Sequence, residues 1–407
     1  MQDQRSVTPS PARRQPVLLS RRNLKMASSA HAFVRGSTVQ FYEWLQSRGA
    51  RAVPQGPPIW ICGDCHSGNL GPLADSKGEV EIHIRDFDQT VIGNPNHDLI
   101  RLALSLASAA RGSDLPGVTT ARMLEHMMEG YQRALSGRGD MQTKNQKPEC
   151  AQIVMRRAVN RTWKQLARER LRDLKPNIPL GKRFWPLSRQ ERVELDTLFA
   201  SDRVRRLVTS LKSRDDDAQI EILDAAYWMK GCSSLGRLRF AVLVKVSTGR
   251  REDDDFCLVD IKEAVRAAAP HVTNAPMPRD HGKRVIEGAL HLSPALGKRM
   301  LAAHLLGRPV FIRELMPQDL KLEIEQLSCD EAVNAAHFLA GVVGRAHARQ
   351  MDAATRREFC RGLKGHRSKR LNAPSWLWSS VVELAATHEA AYLTHCRQYA
   401  LSMGTGR

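Results

Sequence analysis

Aromatic residues are scarce in this chain of 407 residues, at 5%, and no stretch approaches the roughly 18 consecutive apolar residues of a membrane-spanning helix. The first scarcity weighs against a surface on which nucleic-acid bases stack, and the second leaves no membrane span to expect. Acidic residues are short as well: 43 Asp and Glu stand against 62 Lys and Arg, a net charge of +19. That excess attracts any polyanion, whether nucleic acid, anionic lipid or a phosphorylated small molecule, and identifies none of them. Its clusters, such as Arg13-Arg14, Arg21-Arg22, Lys182-Arg183 and Arg356-Arg357, are scattered like solvated faces, so nucleic acid is not the favoured partner. The eight cysteines have one short spacing, Cys62-x-x-Cys65, which suits a reducing compartment and not a disulfide framework. The opening MQDQRSVTPSPARRQPVLLSRRNLKM is basic without an apolar run of signal-peptide length. A cytoplasmic protein with a disordered basic tail over residues 1–25 is expected.

The stretch from Ile61 to Gly71, ICGDCHSGNLG, admits three chemistries. Haem c attachment would use Cys62, Cys65 and His66, but it requires export and usually a second axial ligand. Zinc requires four ligands, and no second Cys-x-x-Cys or His-x₃-His follows at knuckle spacing. A redox dithiol normally opens a helix, whereas Gly71-Pro72 and a hairpin pattern follow here. Phosphoryl transfer is the third. It asks the protein mainly for position: a carboxylate beside the acceptor hydroxyl, metal ligands next to it, and a cation on the phosphates.

The order of elements suits that chemistry. Ile59 to Cys62 reads as a buried strand, residues 70–85 as a hairpin, and residues 98–111 as a helix packed along one face. Asp64 and Asn69 lie five residues apart in the first loop, and Asp86 follows at the end of the hairpin, where a carboxylate suits Mg²⁺. Helical patterns occupy 30–48, 118–136, 150–173, 188–212, 281–306, 330–351 and 375–400. Strand patterns occupy 238–246, 256–262 and 309–313.

Gly63 to Asn69, Arg85 to Asp88 and Gly93 to Leu99 resemble, in order, the catalytic loop, metal-binding strand end and bracing loop of the aminoglycoside-phosphotransferase branch of the protein-kinase-like superfamily. The resemblance implies Asp64 as catalytic base or acceptor-orienting group, with His66 beside it. It implies Asn69 and Asp86 as Mg²⁺ ligands, Asp98 as acceptor for the loop's backbone donors, and Asp88 as support. More closely, the chain resembles the bacterial family called domain of unknown function 2252. The stretches that carry this include Phe33 to Gly36, Gly63 to Leu102, Gly231 to Arg237, Asp260 to Ala264, Arg284 to Gly288 and Gly344 to Arg349.

The second half supplies a phosphate-covering pattern: a glycine turn, two strands, and a lysine near the second strand's end. Gly231, Ser233, Ser234 and Gly236 would approach the phosphates, and Lys262 would contact them. Glu287 would orient Lys262, because Glu263 points to the opposite strand face. Glu314 and Met316 would lie along the nucleotide in the lobe connection.

These parts follow the catalytic loop instead of preceding it. The expected architecture is therefore an α+β, helix-rich, bilobal kinase-like fold in circularly permuted order. Residues 26–215 would form the helical lobe with the metal site, 216–325 the small β-rich lobe, and 326–407 helices returning to the helical lobe. The expected function is ATP- and Mg²⁺-dependent phosphoryl transfer to a hydroxyl of an unknown small-molecule or protein acceptor. The alternatives are a pseudokinase or AMP-transferring scaffold, or a basic nucleic-acid-associated protein.

Overall fold

A computed structural model describes residues 9–49, 53–75, 77, 79–137, 147–159, 177–211, 214–232, 234–247, 255–315, 327–365 and 372–399. Within them, two large hydrophobic cores organise a mixed α+β chain. The first core gathers apolar residues from 34–154 and 264–384; the second lies on one face of a six-stranded sheet.

In the first core Ile59–Ile61 (β1) pairs antiparallel with Val91–Gly93 (β4), with Ile61 opposite Val91. Leu70–Ala74 (β2) and Val80–Ile84 (β3) form the hairpin between them. The Asp75 side chain closes its turn by accepting from the backbone N–H groups of Lys77 and Glu79. The helix Pro95–Gly112 starts at β4 because Asn94 caps the Asn96 N–H and Pro95 occupies a position where no donor is needed. β1, β2 and β4 are buried throughout and the helix along most of its length, so the loops joining them emerge at fixed places.

The sheet has the order β5-β6-β7-β8-β10-β9, from Phe184–Trp185 (β5), Gln219–Trp228 (β6), Arg239–Ser247 (β7), Asp255–Glu263 (β8), Met300–Leu305 (β9) and Arg308–Leu315 (β10). Every pairing is antiparallel. Register decides what each face carries. Phe240, Val242, Ile261 and Ile312 share one face and pack against helices Arg189–Phe199 and Asp202–Val208 and against Leu18. Arg239, Asp260, Lys262 and Arg313 lie on the other face, which turns its charged end toward the first core.

Several expectations are corrected. Of residues 1–25, expected as a disordered tail, 11–25 belong to the helix Pro11–Ala27, because Leu18 is buried and Arg14 makes a buried pair with Glu191. The sheet unit begins well before residue 216: β5 pairs with β6, and both helices between 189 and 208 belong to its core. The helical pattern over 281–306 stops at Leu292, and 300–305 is a strand. Leu306 (φ 53°) and Gly307 (φ 71°) turn it directly into β10, so the non-local pairing overrides the helix preference of Met, Leu and Ala. β6 went unread because its register shifts between Ile222 and Asp224, which breaks the two-residue alternation. Among the described residues no helix is long and apolar enough to cross a membrane.

Candidate functional site

One face of the helix Pro95–Gly112 holds the loop after β1. Asp98, Arg101 and Ser105 recur at helical spacing, buried within an otherwise apolar helix. The Asp98 carboxylate accepts from the backbone N–H groups of Cys62 (2.7 Å) and Gly63 (2.9 Å), with His347 Nε2 at 3.2 Å. Arg101 Nε donates to Asp64 Oδ1 at 3.0 Å, and Ser105 Oγ accepts from the Ser67 N–H at 3.2 Å. Asp98 therefore stands where the resemblance implied. Arg101 is a residue the sequence reading missed, although a buried arginine one turn beyond Asp98 in an apolar helix was the available signal.

Asp64 is nearly closed off, with Thr38 donating to Oδ2 at 2.9 Å and Arg101 on Oδ1. Burial raises its carboxyl above the ordinary value, against the opposing pull of Arg101 and Thr38. Asn69 donates from Nδ2 to the Asp64 carbonyl at 2.8 Å, which directs the amide oxygen away from that carbonyl. The Arg85 N–H donates to the Asn69 carbonyl at 2.9 Å, so Asp86 follows directly from the strand end that holds Asn69. Asn69 and Asp86 are thus brought together by backbone pairing across sixteen intervening residues.

The sheet reaches this loop through cations. Lys262 Nζ lies 2.5 Å from Asp88 Oδ2 and 3.5 Å from Asp86 Oδ1; Arg237 stands 3.5 Å from Asp88, and Arg313 donates to the Arg85 carbonyl at 3.0 Å. Behind them Arg239 makes a two-pronged pair with Asp260, at 2.8 and 2.5 Å. Burial would raise the Asp86 carboxyl, but Lys262, Arg313 and Arg239 outweigh it and hold the group well below the carboxylate range. Burial and the adjacent Asp86 charge push Asp88 the other way. Four cations face three carboxylates here, and the surplus positive charge suits a phosphate-bearing ligand.

Several expected members sit elsewhere. Glu287 is on the helix His281–Leu292 and makes no ion pair among the described residues; Asp88 and Asp86 take the place assigned to it beside Lys262. Glu314 lies on the opposite sheet face from Lys262 and makes a buried two-pronged pair with Arg214, 2.9 Å on each prong. It is therefore a structural group, whereas Ser233 and Met316 fall outside the described residues. The His66 ring is buried with Nδ1 unpartnered, and burial with nearby Arg35 and Arg101 pushes it well below its ordinary value. Cys62 and Cys65 are buried free thiols, both raised, Cys62 first by a hydrogen bond with Cys65 and Cys65 by burial. A buried thiol raised in this way is protonated and weakly reactive.

The glycine turn between β6 and β7 leads into Arg237, whose guanidinium stands 3.5 Å from Asp88. Gly231 (φ 95°) and Gly236 (φ 96°) bound it, Ser234 Oγ donates to the Lys230 carbonyl, and Lys25 donates to the Gly231 carbonyl at 2.7 Å. Arg35, from the helix Ala30–Gly36, lies over Gly68 and has no acidic partner among the described residues. A Cβ on Gly68 would fall 2.7 Å from its Nη2. Sequence reading quoted this arginine only inside a matching stretch.

The residues fit a divalent cation of the hard kind. Asp86 offers a carboxylate whose side chain is 43% exposed, and Asn69 offers an amide oxygen, both donors that Mg²⁺ prefers. Asp88 Oδ1 is buried without a hydrogen-bond partner. The one His/Glu cluster of metal-ligand type among the described residues, His126, Glu129 and His337, lies on a different pair of helices.

A short carboxylate loop after a strand, a second carboxylate at the end of the next hairpin, and a sheet lysine bound to that hairpin define a site assembled from two distant segments of one chain. The family described as uncharacterized proteins conserved in bacteria (DUF2252) matches residues 14–398, and the chain belongs to it. No curated protein and no solved structure matches the chain.

Proposed function

We propose that the protein is an ATP- and Mg²⁺-dependent phosphotransferase acting on a hydroxyl, with a kinase-like bilobal plan in circularly permuted order. The observation that carries this reading is the Lys262 contact with Asp86 and Asp88 from 176 residues away in the chain. A lysine on a sheet placed against a metal-type carboxylate is the pairing that phosphoryl transfer needs to grip the phosphates and their cation together. In the proposed reaction the acceptor oxygen attacks the γ-phosphorus, its proton passes to Asp64, and the bond to the bridging oxygen breaks to release ADP. Lys262 and the arginines near it hold the non-transferred phosphates, and Mg²⁺, when bound by Asp86 and Asn69, neutralises phosphate charge.

A second reading, nucleotide binding without transfer, is favoured by the Arg101 and Thr38 contacts that occupy both Asp64 oxygens. Those contacts oppose the burial that raises this carboxyl, and they leave neither oxygen free to receive an acceptor's proton without a rearrangement.

Thermal melting with Mg²⁺ and ATP tests the binding step. The wild type is expected to be stabilised and Asp86→Ala to lose the shift; a wild type indifferent to Mg²⁺ and ATP would remove the proposal. Incubating cell extract with γ-labelled or α-labelled ATP then separates the readings. Label from the γ position, lost in Asp64→Ala while binding persists, marks phosphoryl transfer. Label from the α position marks AMP transfer, and binding without labelling marks the scaffold.

A further inference from the structure

A cavity of about 600 Å³ lies behind the Asp86–Thr90 segment, between the chain from Ala264 to Asp280 and the start of the helix His281–Leu292. Its polar lining includes Arg266, Arg279, Arg284, His271 and His281, and no carboxylate lines it. The nearest acid in sequence, Asp280, is spent on capping: its side chain accepts from the Lys283 N–H at 2.7 Å and pairs with His304. Arg266 and Arg279 are exposed and have no hydrogen-bond or ion-pair partner among the described residues. Ala267, Ala269 and Met277 supply an apolar wall beside them.

Arg284 shows that the cavity is a built feature. It is 2% exposed, donates to the carbonyls of Thr90, Asp88 and Val265, and leaves its buried Nε unpartnered. The Gln89 side chain accepts from the Ala268 N–H at 2.6 Å, and Val272 N–H donates to the Ile92 carbonyl at 2.9 Å. The wall is therefore fastened to the segment that carries Asp88, while Lys262 lines no part of the cavity.

We infer that this cavity is a binding site for a small organic anion, a phosphate or phosphonate-type group on an apolar body, separate from the nucleotide cleft. Unpaired arginines grip such a group by charge-assisted hydrogen bonds, and the alanine and methionine wall buries the remainder. The volume admits a metabolite-sized ligand and not a polymer.

The test uses the full-length chain and phenyl phosphate in isothermal titration at low salt with EDTA, so that Mg²⁺ chemistry is silent. One equivalent is expected to bind to the wild type and to Lys262→Ala alike, with phenol not binding. The Arg266→Ala/Arg279→Ala double variant, whose changes are at exposed positions, is expected to bind about tenfold or more weakly with an unchanged melting temperature. The inference is overturned if the wild type takes up no phenyl phosphate, if the double variant binds as well as the wild type, or if phenol binds equally well. It is also overturned if Lys262→Ala abolishes binding that the double variant keeps. None of these outcomes depends on ATP being a substrate.

Discussion

The loop from Cys62 to Asn69 and the turn from Gly231 to Gly236 are held in opposite ways. The loop is tied to a buried helix face through Asp98, Arg101 and Ser105, with no exposed residue in it. The described residues of the turn are mostly half-buried, and side chains reach it and its flanks at backbone carbonyls: Lys25 at Gly231, Ser234 and Arg239 at Lys230, and the Tyr227 hydroxyl at Arg237. A loop fixed by buried charge keeps its geometry with or without a ligand, whereas a turn held at its rim is free to adjust over one. Fixed geometry therefore belongs to the first half of the chain, and under the proposed function the second half would supply the cover that adjusts.

The largest effect should come from breaking the rigid side. Asp98→Ala strips acceptors from two buried N–H groups and from His347, and loss of a buried charged partner of this kind costs about 3–5 kcal/mol. Urea denaturation should show that loss, and a cost below about 1 kcal/mol would mean that the loop holds itself without the helix.

Next comes the joint between the two regions. Lys262→Ala takes from Asp86 and Asp88 their nearest cation, leaving Arg237, Arg239 and Arg313 around them, and should cost about 2 kcal/mol. The same change should increase the stabilisation given by Mg²⁺ alone, because the lysine that competes with the cation for Asp86 and Asp88 is gone. A melting shift with Mg²⁺ that shrinks in Lys262→Ala would place the cation away from Asp86.

A smaller effect follows pH. The Asp86 carboxyl is depressed below its ordinary value of 3.8, so its contribution is present above that value and fades as pH falls toward the folded-state value. With 43% of the side chain exposed, the contribution should stay under about 1 kcal/mol. Wild type, the more stable at pH 6, and Asp86→Asn should therefore differ in urea midpoint there, and the gap should begin to narrow only below the ordinary value of 3.8 and still be partly open at about pH 3. A gap that widens on acidification would reverse the sign assigned to this carboxyl.

What could be read in advance divides along the same line. The loop, the hairpin and the Asp64, Asn69, Asp86 and Asp98 set are local in sequence, within 35 positions, and each follows from a strand or helix pattern beside it. The partner of Lys262 was misassigned because an ion pair spanning 176 positions depends on sheet register and on which helix packs where, neither of which periodicity encodes. Glu314 failed for a related reason: alternation along β10 puts it on the face opposite Lys262, and the pairing that fixes the face is with β8. Arg101 was legible in principle, since an arginine inside an apolar helix face needs a buried acid.

The smallest effect should come from the turn itself, and a matched pair of glycines isolates it. Gly63 (φ 75°) and Gly236 (φ 96°) both adopt conformations that L side chains rarely adopt, so alanine is strained at each. Their surroundings differ: a Cβ at Gly63 would meet the Gln89 carbonyl oxygen at 2.1 Å, while a Cβ at Gly236 would meet nothing within 4 Å. Gly236→Ala should therefore cost only the backbone strain, about 1–2 kcal/mol, and leave the charged network intact. Gly63→Ala adds a backbone clash that no side-chain rotation relieves, and should fall with Asp98→Ala in urea denaturation. Equal costs for the two alanines would show that the turn is as tightly fixed as the loop, and the contrast between rigid loop and adjustable cover would have to be abandoned.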